Sequence, residues 1–300
     1  MSFKVVGIGE LLWDLLPSGP QLGGAPANFA FHAHQLGAEA EVISRIGRDA
    51  LGSQMLERFD AMDVGSQAVQ VDAHLPTGTA SVTLDAGGTP HFVIQNNVAW
   101  DEVGLTDAAF ELAHAADAIC FGTLAQRTES AALTIQKLVH STQPAALRVF
   151  DVNLRQKFYS QPLLQRSLEI ANVVKLNDHE LSVLSPMFEL TGDTRQKIEQ
   201  LSGRFELNAV ALTCAEKGSL LYRAGDWSDQ PGATTEIVDT VGAGDAFTAG
   251  LVMGLLHKLN LEELHHIAVE MANFVCSRAG ATPELPAHLR VVFASNCTEV

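Results

Sequence analysis

Asp239-Thr240-Val241-Gly242-Ala243-Gly244-Asp245-Ala246-Phe247 joins a glycine turn to a helical run that extends to His257. Leu251, Val252, Met253, Leu255 and Leu256 make that run apolar. Gly242 and Gly244 permit backbone angles and close approaches that a Cβ resists. The N–H groups that open a helix can surround an anion, helped by the helix dipole. Asp245 sets a carboxylate at the mouth of that anion hole. Uncompensated, it would repel a phosphate, so it makes chemical sense facing a hydroxyl about to receive one. The same residues also read as a plain helix start in which Asp245 serves as a cap. Beside a helix N-terminus, Asp245 is expected to have a low pKa and to be a weak base.

Upstream of this stretch the chain alternates short apolar runs with helical segments. Phe3–Ile8 reads as a buried strand, and Leu11–Leu16 as a second run interrupted by Asp14 before the turn Pro17-Ser18-Gly19-Pro20. A carboxylate inside an apolar run is a candidate site residue. Gly23-Gly24-Ala25-Pro26-Ala27-Asn28 opens a helix that runs through Leu36 and is closed by Gly37. Asn28, one turn in, can reach back toward the same cavity. Val42–Ile46 reads as a strand, and a helix follows to about Met62.

Between Val69 and Trp100 the period changes to two. Ala80, Val82 and Leu84 alternate with Ser81, Thr83 and Asp85, Ala86–Pro90 turns the chain, and Phe92–Ile94 returns until Asn96 and Asn97. This predicts a half-exposed hairpin, part of a small sheet formed by about 11–22 and 69–100 that projects from the core and covers a substrate.

Beyond it, Ala118–Phe121, Arg148–Asp151, Val173–Leu176 and Ala209–Thr213 read as buried strands. Helices over roughly Ser130–Ser141, Pro162–Ala171, Asp178–Leu184 and Thr194–Phe205 separate them. That alternation predicts βαβ units, hence a Rossmann-like three-layer α/β core of parallel strands. Ligands of such sheets bind beyond the carboxyl ends of the strands, where Asp151, Asn153, Arg155, Asn177, Glu180, Thr213 and Gly218 fall.

Composition bounds the rest. Three hundred residues, 47% hydrophobic, can bury one large core, or a core with a smaller appendage. A net charge of −16 argues against a nucleic-acid partner, which needs basic stripes. No apolar run is long enough to span a membrane, and the N-terminus lacks a charged region followed by an apolar one. Cys120, Cys214, Cys276 and Cys297 lack paired metal-site spacing, and a reduced cytoplasm is the expected location. The sequon Asn296-Cys297-Thr298 reads as chance. Gly7-Ile8-Gly9 is not followed by a third glycine, and no Gly-x-x-x-x-Gly-Lys-Ser/Thr segment occurs. The dinucleotide fingerprint and the P-loop are therefore both excluded.

Taken together, these segments resemble the ribokinase-like, or PfkB, carbohydrate kinases. Gly23–Asn28 (GGAPAN), with Gly37 and Ile46–Gly52 (IGRDALG), is similar to that family's N-terminal signature, and DTVGAGDAF at 239–247 to its C-terminal one. Asn177-Asp178-His179-Glu180 resembles its NxxE motif, and the resemblance spans essentially the whole chain in order. It implies a β-lid and transfer of the ATP γ-phosphate, with Mg2+, to a sugar hydroxyl.

By the same resemblance Asp245 is the base, and Gly242, Ala243 and Gly244 form its anion hole. Asp14, Gly23, Gly24, Asn28, Asn97 and Arg155 fall on the sugar side. Asn177, Thr213, Gly218 and Asn273 fall on the nucleotide side, and Glu180 would organise magnesium through water. Asp239 and the Val241 carbonyl resemble half of a monovalent-cation site for K+. The other half would lie near Val275, Arg278 and Gly280, with Glu284 where a serine is expected.

Gly9-Glu10, GGAPAN, Asp151-x-Asn153-Leu154-Arg155 and Val98-Ala99-Trp100-Asp101 look most like bacterial fructokinases. A 2-keto-3-deoxygluconate kinase, a ribokinase, a nucleoside kinase or a catalytically silent sugar sensor are the alternatives. The exposed face of the hairpin leaves open either solvent or a second subunit against it, hence a homodimer through the lid.

Overall fold

The protein is represented by a computed structural model that describes residues 2–16, 19–84, 90–232 and 236–293, without the side chains of 82–84 and 90–92. The turn residues Pro17, Ser18 and Ala86–Thr89, and the sequon with Cys297, lie outside the described residues.

The chain opens with β1 (Lys4–Ile8), β2 (Leu12–Leu16), β3 (Gly19–Gly23) and α1 (Ala25–Gln35). Then come β4 (Glu39–Gly47), α2 (Ala50–Ala61), β5 (Gly65–Asp72), β6 (Gly78–Leu84) and β7 (Pro90–Ile94). The alternating part follows as α3 (Asp107–Ala115), β8 (Ala118–Gly122), α4 (Glu129–His140), β9 (Leu147–Asp151), α5 (Gln161–Ile170) and β10 (Val173–Asn177). It continues with α6 (Asp178–Met187), α7 (Thr194–Phe205), β11 (Ala209–Thr213), β12 (Ser219–Arg223) and β13 (Asp226–Gln230). The chain closes with α8 (Ala243–Leu256), α9 (Leu261–Cys276) and the short α10 (Ala287–Arg290).

Among the described residues one sheet has nine strands in the order β13-β12-β11-β10-β9-β8-β1-β4-β5. The pairs from β11 through β5 are parallel, and β12 and β13 add an antiparallel edge. Alternation along each strand divides the core in two. Val6, Ile8, Ile119, Phe121 and Phe150 pack with residues of α3 to α7 on one face. Val5, Ala118, Cys120 and Val149 pack with α1, α8 and α9 on the other. Both faces are covered, which is why these strands read as unbroken apolar runs. The result is a three-layer parallel α/β core. The chain order reverses about β1, between β4 and β8, and such a reversal opens a crevice at the strands' carboxyl ends.

A second sheet, β3-β2-β6-β7, stands apart from the first. Register aligns Asp14 with Ala80 and Ala80 with Ile94, whereas Leu15, Ser81 and Val93 form the next rung on the opposite face.

The hairpin expected from Val69 needs correction at its start. Val69–Asp72 belongs to β5, which pairs in parallel with β4 in the large sheet. As the edge strand, β5 is half exposed, and Val71 is 47% accessible. The strand is an edge of the core, not a projecting one, and it buries Ala68 and Asp72. Gly19 and Pro20 likewise open a strand, β3, rather than only a turn.

Candidate active site

The crevice forms where the N-terminus of α8 meets the carboxyl ends of the parallel strands. Gly242 caps α8 with φ of 78°, and a Cβ there would lie 2.6 Å from the Ala281 carbonyl oxygen. Only glycine meets both constraints. The α8 cap makes no side-chain hydrogen bond, so Asp245, in the first turn, does not serve as a cap. Its carboxylate instead accepts from Asn28 Nδ2 at 2.8 Å, across 217 residues of sequence.

Asp245 departs from the sequence expectation. Burial, then the charge of Asp151, raises its pKa to about 6, and the bond from Asn28 recovers only part of the shift. The helix terminus does not hold it low, because desolvation is the larger effect.

On one side of α8 lies a cleft of about 470 Å³. Asp14, Ala80 and Ile94 of the small sheet line it, with Gly24 and Asn28 of the α1 start, and Asn153 and Arg155 beyond β9. Burial raises the Asp14 carboxyl above its ordinary range. Glu10, which follows β1 and is 2% exposed, also lines the cleft. Burial raises its carboxyl to about 7, with Asp245 adding and Arg155 opposing. Two buried acceptors here lack a protein partner, Glu10 Oε2 and Asn28 Oδ1. Buried polar atoms normally have one, so the cleft presents acceptors suited to hydroxyl donors.

On the other side a second cavity of about 510 Å³ is lined by Asn177, Thr213, Gly218, Ile237 and Asn273, among others. Thr240, Gly244, Asn177 and Thr213 line both spaces, so α8 begins at their junction. Asn177 and Glu180 form a reciprocal cap of α6: Glu180 N donates to Asn177 Oδ1 and Asn177 N to Glu180 Oε2, each at 2.8 Å. Leu154 N donates to Glu180 Oε1 at 2.9 Å. Burial nevertheless raises the Glu180 carboxyl, since it outweighs Lys175.

The pfkB family carbohydrate kinase profile matches residues 20–288. The chain belongs to that family. A fructokinase of Klebsiella pneumoniae is 30% identical over 270 residues, covering 85% of each sequence. An uncharacterised sugar kinase of Pyrococcus horikoshii is 28% identical over 277 residues, 87% of this chain and 85% of that protein. Its crystal structure in complex with ATP aligns with a TM-score of 0.76 at 27% identity, covering 93% of this chain and 94% of that one. The 2-dehydro-3-deoxygluconokinase of Thermotoga maritima shares the fold, with a TM-score of 0.83 at 16% identity over 98% of this chain and 99% of that one.

In this PfkB carbohydrate kinase most residues singled out from the sequence converge on the two spaces. Gly23 adjoins the first; a Cβ on it would stand 2.5 Å from Asp14 Oδ2. Asn97 does not converge. It is exposed, in the left-handed region (φ 56°), and lies beyond Ile94, the end of β7 and the last residue of that strand to line the cleft. Gly280 is also set back from both, where its N–H donates to Asp239 Oδ2 at 3.0 Å while Val241 N donates to Oδ1 at 3.0 Å.

Two buried charged residues of the cleft, Glu10 and Lys175, carried too weak a signal to be assigned a role from sequence. Each sits in or beside an apolar strand, and that interruption is the same mark that Asp14 carries. Among the described residues, no cluster of three or more His, Cys, Asp or Glu could hold a metal ion, and no helix is long and apolar enough to cross a membrane.

Proposed function

We propose that the chain transfers the γ-phosphoryl group of ATP to a hydroxyl of a small sugar, with D-fructose the first candidate. The observation that carries this reading is the Asn28–Asp245 bond. It ties the α1 start to the α8 N-terminus where the two spaces meet.

Sugar hydroxyls would be held by Asp14, Asn28 and Glu10, with Arg155 at the rim. The nucleotide would lie along Asn177, Thr213, Gly218 and Asn273, its terminal phosphate reaching the amides of Gly242, Ala243 and Gly244. Asp245 takes the proton of the attacking hydroxyl. A carboxyl raised to about 6 is still ionised near neutral pH and is a better base than an ordinary aspartate. Positioning and charge neutralisation carry most of such a transfer.

Magnesium, when bound, would supply positive charge that offsets the charge of the phosphate groups. Glu180 fits as a holder of its waters: it lines the cleft, and each of its oxygens, though accepting one backbone N–H, has a second lone pair. K+ near Asp239, Val241 and Gly280, closure of the small sheet as a lid, a lid-to-lid homodimer and a cytoplasmic location complete the proposal.

Fructose is favoured by the likeness to the Klebsiella fructokinase. A 2-keto-3-deoxygluconate kinase is the second reading, because Arg155 opens onto the cleft where a sugar carboxylate could pair with it. A panel of ketoses, aldoses, sugar acids and nucleosides with Mg-ATP tests both. The expected result is ADP formation that is fastest with fructose.

With the best acceptor, Asp245→Asn should lower kcat 10²–10⁴-fold, about 3–5 kcal/mol, with the KM for ATP nearly unchanged. No turnover with any acceptor, or a variant within about threefold of the wild type, overturns the reading.

A further inference from the structure

Lysine is almost never fully buried unless paired. Lys175, with a side chain 8% exposed, holds its Nζ 3.2 Å from Asp151 Oδ1. The register of β9 and β10 places the two residues opposite each other. Asp151 Oδ2 in turn accepts from Thr248 Oγ1 of α8 at 3.0 Å. Burial pulls the ammonium toward neutrality, but Asp151, Glu180 and Asp245 outweigh it, and Lys175 holds its proton above the ordinary lysine range.

The pair accounts for burial of the charge but not for its position. Gly244 is not among the glycines of positive φ, so its backbone does not demand glycine. A Cβ on it would nevertheless stand 2.8 Å from Lys175 Nζ. The ammonium thus occupies the space a side chain at 244 would fill, against the first turn of a 14-residue helix. That end of a helix is its positive end, and a second positive charge there is favourable when an anion enters between them. The cleft also needs cations. Glu10, Asp14, Glu180 and Asp245 line it as acids, against Arg155 and Lys175 as bases.

We propose that Lys175 Nζ binds an oxygen of the transferring phosphoryl group, holding it against the N-terminal amides of α8, while Asp151 aims the ammonium. This rests on the kinase reading above. As the sugar oxygen–phosphorus bond forms, the bond from phosphorus to the bridging oxygen of the leaving ADP breaks. The hydroxyl proton goes to Asp245. Lys175 forms no covalent bond and keeps its protons throughout.

The test measures ATP and ADP binding by calorimetry in the wild type and in Lys175→Met, with melting temperatures, alongside turnover of the best acceptor. ADP lacks the terminal phosphate, so the variant should lose about tenfold or more in ATP affinity while ADP affinity moves by less than about twofold. Its kcat should fall about 10²–10³-fold, as for loss of a preorganised donor. Equal losses for ATP and ADP, or an unchanged ratio with only a lower melting temperature, would show a structural ion pair and overturn the assignment alone. A wild type that binds neither nucleotide overturns the kinase reading and this assignment with it. If Lys175→Met does not fold, Lys175→Gln, which keeps a hydrogen bond to Asp151 without the charge, is read by the same ratio.

Discussion

At the scale of the residue, the cleft gathers carboxyl groups that burial keeps closer to neutral than water would. Glu10 is the clearest, raised from 4.5 to about 7 and 2% exposed. A carboxyl raised in the folded state contributes stability that is present below its unfolded pKa and lost as pH rises through the folded one. The window here runs from about 4.5 to about 7. From Glu10 alone, the wild type should lose up to about 3 kcal/mol between pH 5 and pH 8. Glu10→Gln has no proton to lose. Thermal melts at pH 5 and pH 8 should therefore show a smaller decline in Tm for the variant than for the wild type. Parallel declines would mean that Glu10 does not hold the raised pKa.

At the scale of the element, α1 ties distant parts of the chain to one helix face. Asn28, His32 and Gln35 fall at i, i+4 and i+7, on one side of the helix. His32 Nε2 meets Ala281 O at 2.9 Å, Gln35 Nε2 donates to Pro283 O at 3.2 Å, and Leu285 N donates to Gln35 Oε1 at 2.7 Å. The helix that opens beside the cleft is thereby fixed to the segment behind the α8 cap. The small sheet is held differently, with one rung, Asp14–Ala80–Ile94, on the cleft wall. If it closes on sugar, amide exchange in Gly78–Leu84 and Pro90–Ile94 should slow several-fold on saturation with the best acceptor. Unchanged exchange would remove the lid role. Strong protection before sugar is added would instead place a second copy against this sheet.

At the scale of the whole molecule, a chain of net charge −16 must bind a polyanion against its own field. It can do so only through local donors and cations. Asp239 contributes by joining two loops far apart in sequence, accepting from Val241 N and Gly280 N. A potassium ion added to that junction would order the backbone that presents the α8 amides. Replacing sodium by potassium should then raise the rate several-fold at constant ionic strength. Equal rates in sodium, in potassium and without added monovalent salt would leave Asp239 as a clip between loops and nothing more.

Periodicity and punctuation alone determined the alternating α/β core. Unbroken apolar strands report burial on both faces, and cap residues mark the helices between them. The helix over Thr194–Phe205 has the bounds read from the sequence, and the structure adds its cap, Asp193 accepting from Gln196 N. The glycine turn at 242–244 and the polar residues at strand ends were likewise legible, since both are local patterns.

What depended on tertiary structure is what depends on neighbours distant in the chain. β5 alternates like a projecting strand, and only its pairing with β4 makes it an edge of the core. Asp245 sits at a helix start that should lower its pKa, and only burial beside Asp151 raises it. Glu10 and Lys175 interrupt apolar segments without local explanation. Their setting follows from which buried charges and helix ends the fold brings within a few ångströms, and at Glu10 desolvation is the largest effect, raising the carboxyl to about 7.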